Sequence, residues 1–284
     1  MDRNRNRGAL YIVLAAVVWS TQGWLIKAVP WSPISLLGLR ALCVSMMTGA
    51  FRQSFALVND RRTWLAGLSV SATSLLYVAA NKLTTAANAV ALQYAMPLFV
   101  IAVDWIKDGR KPEARSAAAV LVIAVGVALC FANDLGGGRM IGNVLALLSA
   151  GTYSVMFYLS QSPGVDSLQF IFQGLLISSM GIFYIPFDSN FIITWPVMGH
   201  FAIAAAVLFS GYVFFSSGMR LGVSAIHAAI LANVEPVLSP VFTLVILGEQ
   251  PGALTLAGMA IVLVTVTLYN ISNSNIKGKQ TEEG

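Results

Sequence analysis

Residues 86–112, AANAVALQYAMPLFVIAVDWIKDGRKP, and residues 225–251, AIHAAILANVEPVLSPVFTLVILGEQP, decide the fold, because they share one pattern 139 residues apart. The shift pairs residues of the same kind: Ala86 with Ala225, Ala89 with Ala228, Leu92 with Leu231, Pro97 with Pro236, Gly109 with Gly248 and Pro112 with Pro251. Apolar residues often match by chance. A proline inside an apolar run, followed by a Gly-x-x-Pro turn in the same register, indicates an internal duplication.

A second match connects the beginning of the chain with its middle. At a shift of 134 residues, Gly8 meets Gly142, Ser20 meets Ser154 and Trp19 meets Tyr153. We therefore predict a first repeat over residues 1–138 and a second repeat over residues 139–272. A polar tail, residues 273–284, follows.

The composition is that of a chain surrounded by lipid. Of its 284 residues 57% are hydrophobic and only 10% are charged, whereas soluble domains carry about 25% charged residues. The net charge of +5 comes from basic residues scattered over short connections, which does not indicate a nucleic-acid surface. Both cysteines, Cys43 and Cys130, lie inside apolar runs and suggest neither a disulfide nor a metal site.

Ten apolar runs have about the 20 residues that a transmembrane helix needs. They cover residues 8–28, 33–52, 64–82, 86–106, 115–132, 140–160, 166–187, 197–218, 223–247 and 252–270. The first run follows three arginines, as in a signal peptide, but no A-x-A-like cleavage site ends it. We therefore expect this run to be retained as the first span.

The basic residues favour a cytoplasmic N-terminus, because cytoplasmic connections carry an excess of Lys and Arg. This orientation places thirteen basic residues inside, namely Arg3, Arg5, Arg7, Arg52, Arg61, Arg62, Lys107, Arg110, Lys111, Arg115, Arg220, Lys277 and Lys279. Only Lys27, Lys82 and Arg139 fall at outer ends. An even number of spans then returns the C-terminus to the cytoplasm.

Five spans in each repeat imply that the repeats cross the membrane in opposite directions. This is the inverted-repeat plan of secondary transporters, whose substrate site lies near the middle of the bilayer between the repeats. The fold class predicted from sequence is therefore an all-α polytopic membrane protein of ten helices in two inverted five-helix repeats.

The second copy of the repeated stretch resembles the signature of the EamA family within the drug/metabolite transporter superfamily. The resemblance rests on EPVLSPVF at 235–242, LGEQ at 247–250 and the helix around Gly258. YAMPLF at 94–99, GRKP at 109–112 and residues 77–89 are similar to the family more faintly. The first repeat departs from the pattern, with Arg110 where Glu249 stands in the second.

The resemblance implies a multi-pass exporter of the inner (plasma) membrane that handles amino acids, other metabolites or drugs. Span one has no glutamate like the one that small four-helix multidrug relatives use for proton exchange, so proton coupling does not follow from the resemblance. The expected partners are a small-molecule substrate and the lipid bilayer, with no nucleic acid and no cofactor. We expect a monomer.

Three prolines, Pro97, Pro236 and Pro240, lie inside predicted spans four and nine. Each removes a backbone donor and leaves a carbonyl one turn earlier without its partner. Such carbonyls must be satisfied by neighbouring groups or face water. The prolines are therefore either hinges beside a cavity or static kinks.

Charged residues at depth are the next candidates. Glu235 lies about 18 Å from the inner end of predicted span nine, at 1.5 Å per residue. An ionised group there costs at least about 2.5–3.5 kcal/mol. It either pairs with Arg40, which lies at a similar depth in span two, or stays neutral while Arg40 snorkels outward. His227 shares a predicted helical stripe with Glu235, as part of a proton relay or as a packing residue.

Aromatic and amide side chains at depth are predicted to line the substrate cavity, although each alone is equally consistent with helix packing. Together with Glu235, the predicted set is Trp19, Trp24, Tyr77, Asn81, Asn88, Gln93, Tyr94, Tyr153 and Tyr158.

The pattern favours a transporter over other classes of membrane protein. The sequence shows no nucleophile–base constellation, phosphate loop or metal-ligand cluster, so catalytic residues are not predicted. Export of amino acids, especially aromatic or bulky apolar ones, is the first expectation, by alternating access. A drug or nucleotide-sugar carrier is the alternative, and a membrane-embedded lipid-modifying enzyme is the alternative from another class.

Overall fold

The computed structural model describes residues 3–108, 114–132, 138–160, 162, 164–223 and 225–282, and all regular elements in these ranges are helices. The first five spans are α1 (Arg3–Ser20) with α2 (Gln22–Ala28), α3 (Pro33–Phe51), α4 (Arg61–Leu83), α5 (Ala86–Gln93) with α6 (Met96–Asp108), and α7 (Ala114–Ala132). The second five are α8 (Met140–Ser160), α9 (Ser167–Ser179) with a 3-10 helix (Met180–Phe187), α10 (Trp195–Arg220), α11 (Ala225–Ala232) with α12 (Val234–Leu247), and α13 (Ala253–Glu282).

The helical segments have membrane-spanning length and composition. Within the described residues, eight are long and apolar enough to cross a bilayer, and spans four and six are represented by the shorter apolar stretches Ala86–Ala102 and Met140–Met156. The predicted all-α architecture of ten spans is confirmed. The last helix continues past the predicted end of span ten, so the chain is helical up to Glu282.

Local sequence signals set several helix boundaries. The side chains of Ser32, Asp60, Thr85 and Asp166 each accept a hydrogen bond from a backbone N–H in the first turn of the helix that follows. Thr85 is the cap that separates span four from span three, so the two runs predicted at 64–82 and 86–106 are distinct helices. At the other end of span nine, Gly248 adopts a left-handed conformation with φ of 66°, which ends α12.

The packing of the helices repeats the internal duplication. If each span is exchanged with the span five places later, the contact of α4 with α8 becomes the contact of α10 with α1, and both are among the most extensive in the protein. In the same way the contact of α4 with α9 becomes that of α10 with α3. The contact of α7 with α13 and that of α3 with α9 map onto themselves. The two repeats are therefore related by a pseudo-two-fold exchange, and five spans in each make them cross in opposite directions.

Close approach of two helices joins the repeats at spans five and ten. Gly126 of α7 faces Gly258 of α13, and a β-carbon built on Gly258 would lie 2.4 Å from the carbonyl oxygen of Gly126. A backbone atom cannot move aside as a side chain can, so this contact requires glycine.

Replacement of Gly258 by alanine is expected to destabilise the protein by about 1–3 kcal/mol, the usual cost of overpacking. The matched control is Gly199→Ala in α10, where a β-carbon would meet nothing within 4 Å. This control should stabilise the helix by about 0.5–1 kcal/mol, because alanine loses less backbone entropy. Thermal unfolding in detergent measures both variants, and equal shifts in Tm would show that α7 and α13 are not in close contact.

Candidate functional site

Spans four and nine are each broken into two helices at matching positions. Span four is interrupted at Tyr94 and Ala95, between α5 and α6, and span nine is interrupted at Asn233, between α11 and α12. Tyr94 and Asn233 are equivalent under the 139-residue shift of the repeat. Discontinuous helices in corresponding positions of two repeats are typical of the substrate sites of transporters.

The prolines explain where the breaks occur. Pro97 is the second residue of α6 and Pro236 is the third residue of α12, so both lie in a first turn, where a backbone N–H needs no helical acceptor. Their effect falls on the preceding half-helix, because Pro236 cannot donate to the carbonyl of Ala232 four residues earlier. Pro240 lies inside α12 and is buried. The static-kink and hinge hypotheses for these prolines stay predictions.

Tyr94 supplies the donor that Pro236 lacks. Its hydroxyl oxygen lies 2.9 Å from the carbonyl oxygen of Ala232 and 3.1 Å from Oε2 of Glu235. The break in the first repeat is thereby bonded directly to the break in the second.

Glu235 is half-buried in the first turn of α12. A carboxylate is favoured at this place because the N-terminal end of a helix carries partial positive charge. Three tyrosines surround it: Tyr94 through its hydrogen bond, and Tyr77 and Tyr153 through electrostatic interaction. Glu235 is therefore the acidic centre of a cluster formed by spans three, four, six and nine.

Arg40 is a basic group of the same region, and it has no acidic partner in the part of the chain that the structure describes. Its side chain is 3% exposed, its Nη1 donates to Oε1 of Gln22 at 2.8 Å, and its Nε has no hydrogen-bond partner. No ion pair joins Arg40 to Glu235 among the described residues, so the Arg40–Glu235 pair considered from depth alone is not formed in this structure. Instead, Tyr77 interacts electrostatically with both Glu235 and Arg40.

Two tryptophans of span one contribute aromatic surface and unused donors. The indole of Trp19 lies 5.8 Å from the ring of Tyr212 and 5.7 Å from that of Phe215, between ring centroids. Trp24 meets the ring of His200 edge-on at 6.0 Å. Both indole nitrogens are buried and make no hydrogen bond within the described residues. Trp19 also lies directly against Gly211, where a side chain would occupy its place.

Three of the predicted residues are less closely tied to this cluster. Asn88 donates to the carbonyl of Cys130 and to Asn143, which joins spans four, five and six and favours a packing role. Tyr158 is 37% exposed and lines an apolar crevice of about 220 Å³ with Leu65 and Leu68 of span three. Gln93 is half-buried and ends α5.

Asn81 shares a helix with a cluster residue, whereas His227 lies on the half-helix that precedes Glu235. Asn81 is fully buried one turn after Tyr77, and its side chain interacts with that tyrosine. His227 is half-buried in α11, whereas Glu235 belongs to α12. The continuous stripe expected along span nine (Ser224, His227, Leu231, Glu235 and Ser239) is therefore interrupted at Asn233, and Ser224 lies outside the described residues.

The comparisons with known proteins agree with this architecture. The profile of the EamA-like transporter family matches residues 6–132 and, a second time, residues 140–271. The chain belongs to the EamA-like transporter family. A crystal structure of another protein, 19% identical, is similar in fold with a TM-score of 0.63 over 95% of this chain and 98% of that chain. No match to a curated protein was found.

Membership in the EamA-like family establishes the general activity. The protein is a multi-pass membrane transporter of small molecules and is not an enzyme, so the alternative of a lipid-modifying enzyme is wrong. The resemblance to the EamA signature is confirmed.

Two residues of this EamA-like site were missed by the sequence analysis. Gln22 holds Arg40 and also donates to the carbonyl of Ala204 at 3.1 Å, and no pattern in the sequence marked it. Tyr212 had a signal, because Tyr77-Val78 aligns with Tyr212-Val213 at a shift of 135 residues, between the two shifts that define the repeats.

An ion pair ties spans one and nine at one end of the EamA-like bundle. Lys27 donates to Oε1 of Glu249 at 2.7 Å and to the carbonyl of Thr84 at 2.8 Å. The carboxylate of Glu249 also accepts from the N–H of Ala86, the first residue of α5. We call this the Lys27 end; the position equivalent to Glu249 in the first repeat, Arg110, lies outside the described residues.

Replacement of Lys27 by methionine is expected to lower the free energy of unfolding by about 1–3 kcal/mol, because it leaves the largely buried carboxylate of Glu249 without its cation. The control is Arg220→Met, which breaks the pair of Arg220 with Asp166. Both side chains of that pair are at least half exposed, so its loss should cost about 0–1 kcal/mol. Thermal unfolding in detergent compares the two variants, and a larger effect of Arg220→Met would contradict the proposed tie.

Proposed function

We propose that the protein exports amino acids, with a preference for aromatic or bulky apolar side chains, by alternating access. The observation that carries the proposal is the presence of two opposite charges at depth, the buried Arg40 and the half-buried Glu235, that do not pair with each other and that both interact electrostatically with Tyr77. An unpaired charge inside a membrane protein is costly and typically marks a substrate pathway.

A zwitterionic amino acid complements both charges at once. Its carboxylate would accept hydrogen bonds from the guanidinium of Arg40, whose Nε is unused, since arginine suits a carboxylate geometrically. Its ammonium group would bind the carboxylate of Glu235. Each of the two charges that the fold leaves unneutralised would then find its counterion in the substrate.

The aromatic residues support the preference for a bulky side chain. Trp19, Tyr212 and Phe215 form one contiguous aromatic surface on spans one and eight, and Tyr153 interacts electrostatically with both Tyr212 and Glu235. Stacking on such rings contributes about 0.5–1.5 kcal/mol beyond the burial of apolar area.

The charge distribution supports the proposed orientation in the membrane. The end of the bundle opposite to the Lys27 end carries Arg52 and Arg220, which line a polar depression of about 360 Å³ together with Asp166. The excess of basic residues at this end supports a cytoplasmic location for both termini and an inner-membrane exporter. A monomer suffices, because the two repeats of one chain together form the site.

The test of the proposal is counterflow in proteoliposomes with a panel of solutes. Phenylalanine, tryptophan and leucine should exchange, whereas an amine without the carboxylate and an N-acetylated amino acid should compete poorly, since each lacks one of the two charges. Exchange of a lipophilic cation or a nucleotide sugar, but of no amino acid, would contradict amino acid export and favour a drug or nucleotide-sugar carrier.

Replacement of Arg40 by glutamine should weaken amino acid binding by about 10- to 100-fold, because a charged hydrogen bond contributes about 1.5–3 kcal/mol. Competition by the amine without a carboxylate should change much less. Arg220→Gln, at an exposed arginine, is the matched control and should leave both affinities unchanged. Equal losses for the amino acid and the amine would show that Arg40 does not recognise the carboxylate.

Replacement of Trp19 by alanine should raise the KM for tryptophan and phenylalanine by about 3- to 10-fold, the equivalent of one aromatic contact. The KM for alanine should change less, because a methyl group does not reach the ring. Transport by Trp19→Ala with unchanged selectivity would remove Trp19 from the substrate site.

A further inference from the structure

The hydroxyl of Tyr94 lies between two acceptors but has a single proton. One acceptor is the carbonyl of Ala232, 2.9 Å away, and the other is Oε2 of Glu235, 3.1 Å away. The carbonyl needs this donor because residue 236 is proline and has no N–H. A phenol donates one hydrogen bond only, so it cannot satisfy both groups when the carboxylate is ionised.

A proton on Glu235 resolves this conflict. The protonated carboxyl donates to the oxygen of Tyr94, and Tyr94 then donates to the carbonyl of Ala232. All three groups are bonded, which the interior of a membrane protein strongly favours. When Glu235 is ionised, either its carboxylate oxygen or the carbonyl oxygen of Ala232 lacks a donor. The carboxylate then needs another donor besides Tyr94, and a cationic one.

The surroundings of Glu235 offer no such donor from the protein. Of the helices packed against α12, α1 carries its ionisable residues near its start, α2 carries Lys27, which is paired with Glu249, and α5 has no ionisable residue. Tyr77 of α4 and Tyr153 of α8 interact electrostatically with Glu235, and Arg40 donates to Gln22 instead. His227 precedes Glu235 by two turns on α11. No described basic side chain forms an ion pair with Glu235.

We propose that a proton and the ammonium group of the substrate bind Glu235 in competition, with Tyr94 as the positioning residue, so that export is an exchange of substrate for protons. The inference rests on the amino acid export proposed above and adds its driving force. At the cytoplasmic side the ammonium group displaces the proton, which leaves to cytoplasmic water. At the outer side the carboxylate takes a proton from external water and releases the substrate. Protons therefore move inward as substrate moves outward, and an inward proton gradient drives export.

The experiment uses proteoliposomes that contain a pH-sensitive dye and the solute found to exchange in the counterflow panel. For the wild type, a substrate gradient should move protons in the opposite direction. The apparent KM should rise by about tenfold for each pH unit on the acidic side of the transition, as expected for competition with one proton. Glu235→Gln keeps the shape of the side chain but cannot exchange a proton, and it should move no protons.

His227→Gln is the matched control, because it removes the other ionisable side chain near the break in span nine. It should retain proton movement and the pH dependence of KM. If His227→Gln abolishes them and Glu235→Gln does not, coupling resides at His227 and the proposal is overturned. Glu235→Asp, which keeps a carboxyl group, should retain coupling, and it serves as the second variant if Glu235→Gln does not fold.

Measurements of counterflow and proton movement by the wild type are enough to distinguish a failure of this inference from a failure of the proposed function. Amino acid counterflow with a KM independent of pH and without proton movement would overturn the antiport and leave amino acid export intact. Absence of amino acid counterflow would instead contradict the proposed function on which the antiport rests.

Discussion

A backbone carbonyl inside a membrane must find a hydrogen-bond donor, and this constraint governs the centre of the protein. Pro236 deprives the carbonyl of Ala232 of its helical donor, and the hydroxyl of Tyr94 replaces it from the other repeat. The break in span nine is therefore stable only while span four stands beside it. The same hydroxyl also reaches Glu235. The residue that satisfies the carbonyl of Ala232 therefore brings the acidic side chain into the contact between the two repeats.

The two charges of the site are tolerated in different ways. Glu235 lies in the first turn of α12, where the helix end favours negative charge. Arg40 lies in the middle of α3, without help from a helix end, and a neutral amide of span one orients it instead. Neither arrangement neutralises the charge. Apolar residues at these two positions would be compatible with a stable fold, so the two separate charges agree with the proposed binding of a zwitterionic substrate.

The sequence was sufficient for the features that depend on position along a helix. Span length, the duplication and the paired prolines predicted ten spans in two repeats, and Pro97 and Pro236 indicated where spans four and nine break. It was not sufficient for features that depend on the rotation of one helix against another. Asn88 and Tyr158 lie at suitable depths, yet one bonds between helices and the other faces an apolar crevice, because helices that are apolar all around carry no signal of the face they present. Gln22 was missed for the same reason, whereas Tyr212 had a signal in the repeat.

The two repeats are alike in the packing of their helices but differ in the residues at the helix breaks. Exchange of the repeats reproduces the packing of spans one, three, six and eight, the plan on which alternating access in transporters with inverted repeats is based. The chemistry at the breaks does not follow this exchange: Tyr94 in the first repeat corresponds to Asn233, and Glu235 in the second corresponds to Met96. The hydrogen bond from Tyr94 to Glu235 therefore exists once and has no symmetric copy. Asymmetry at the breaks therefore confines the acidic residue to one of the two repeats.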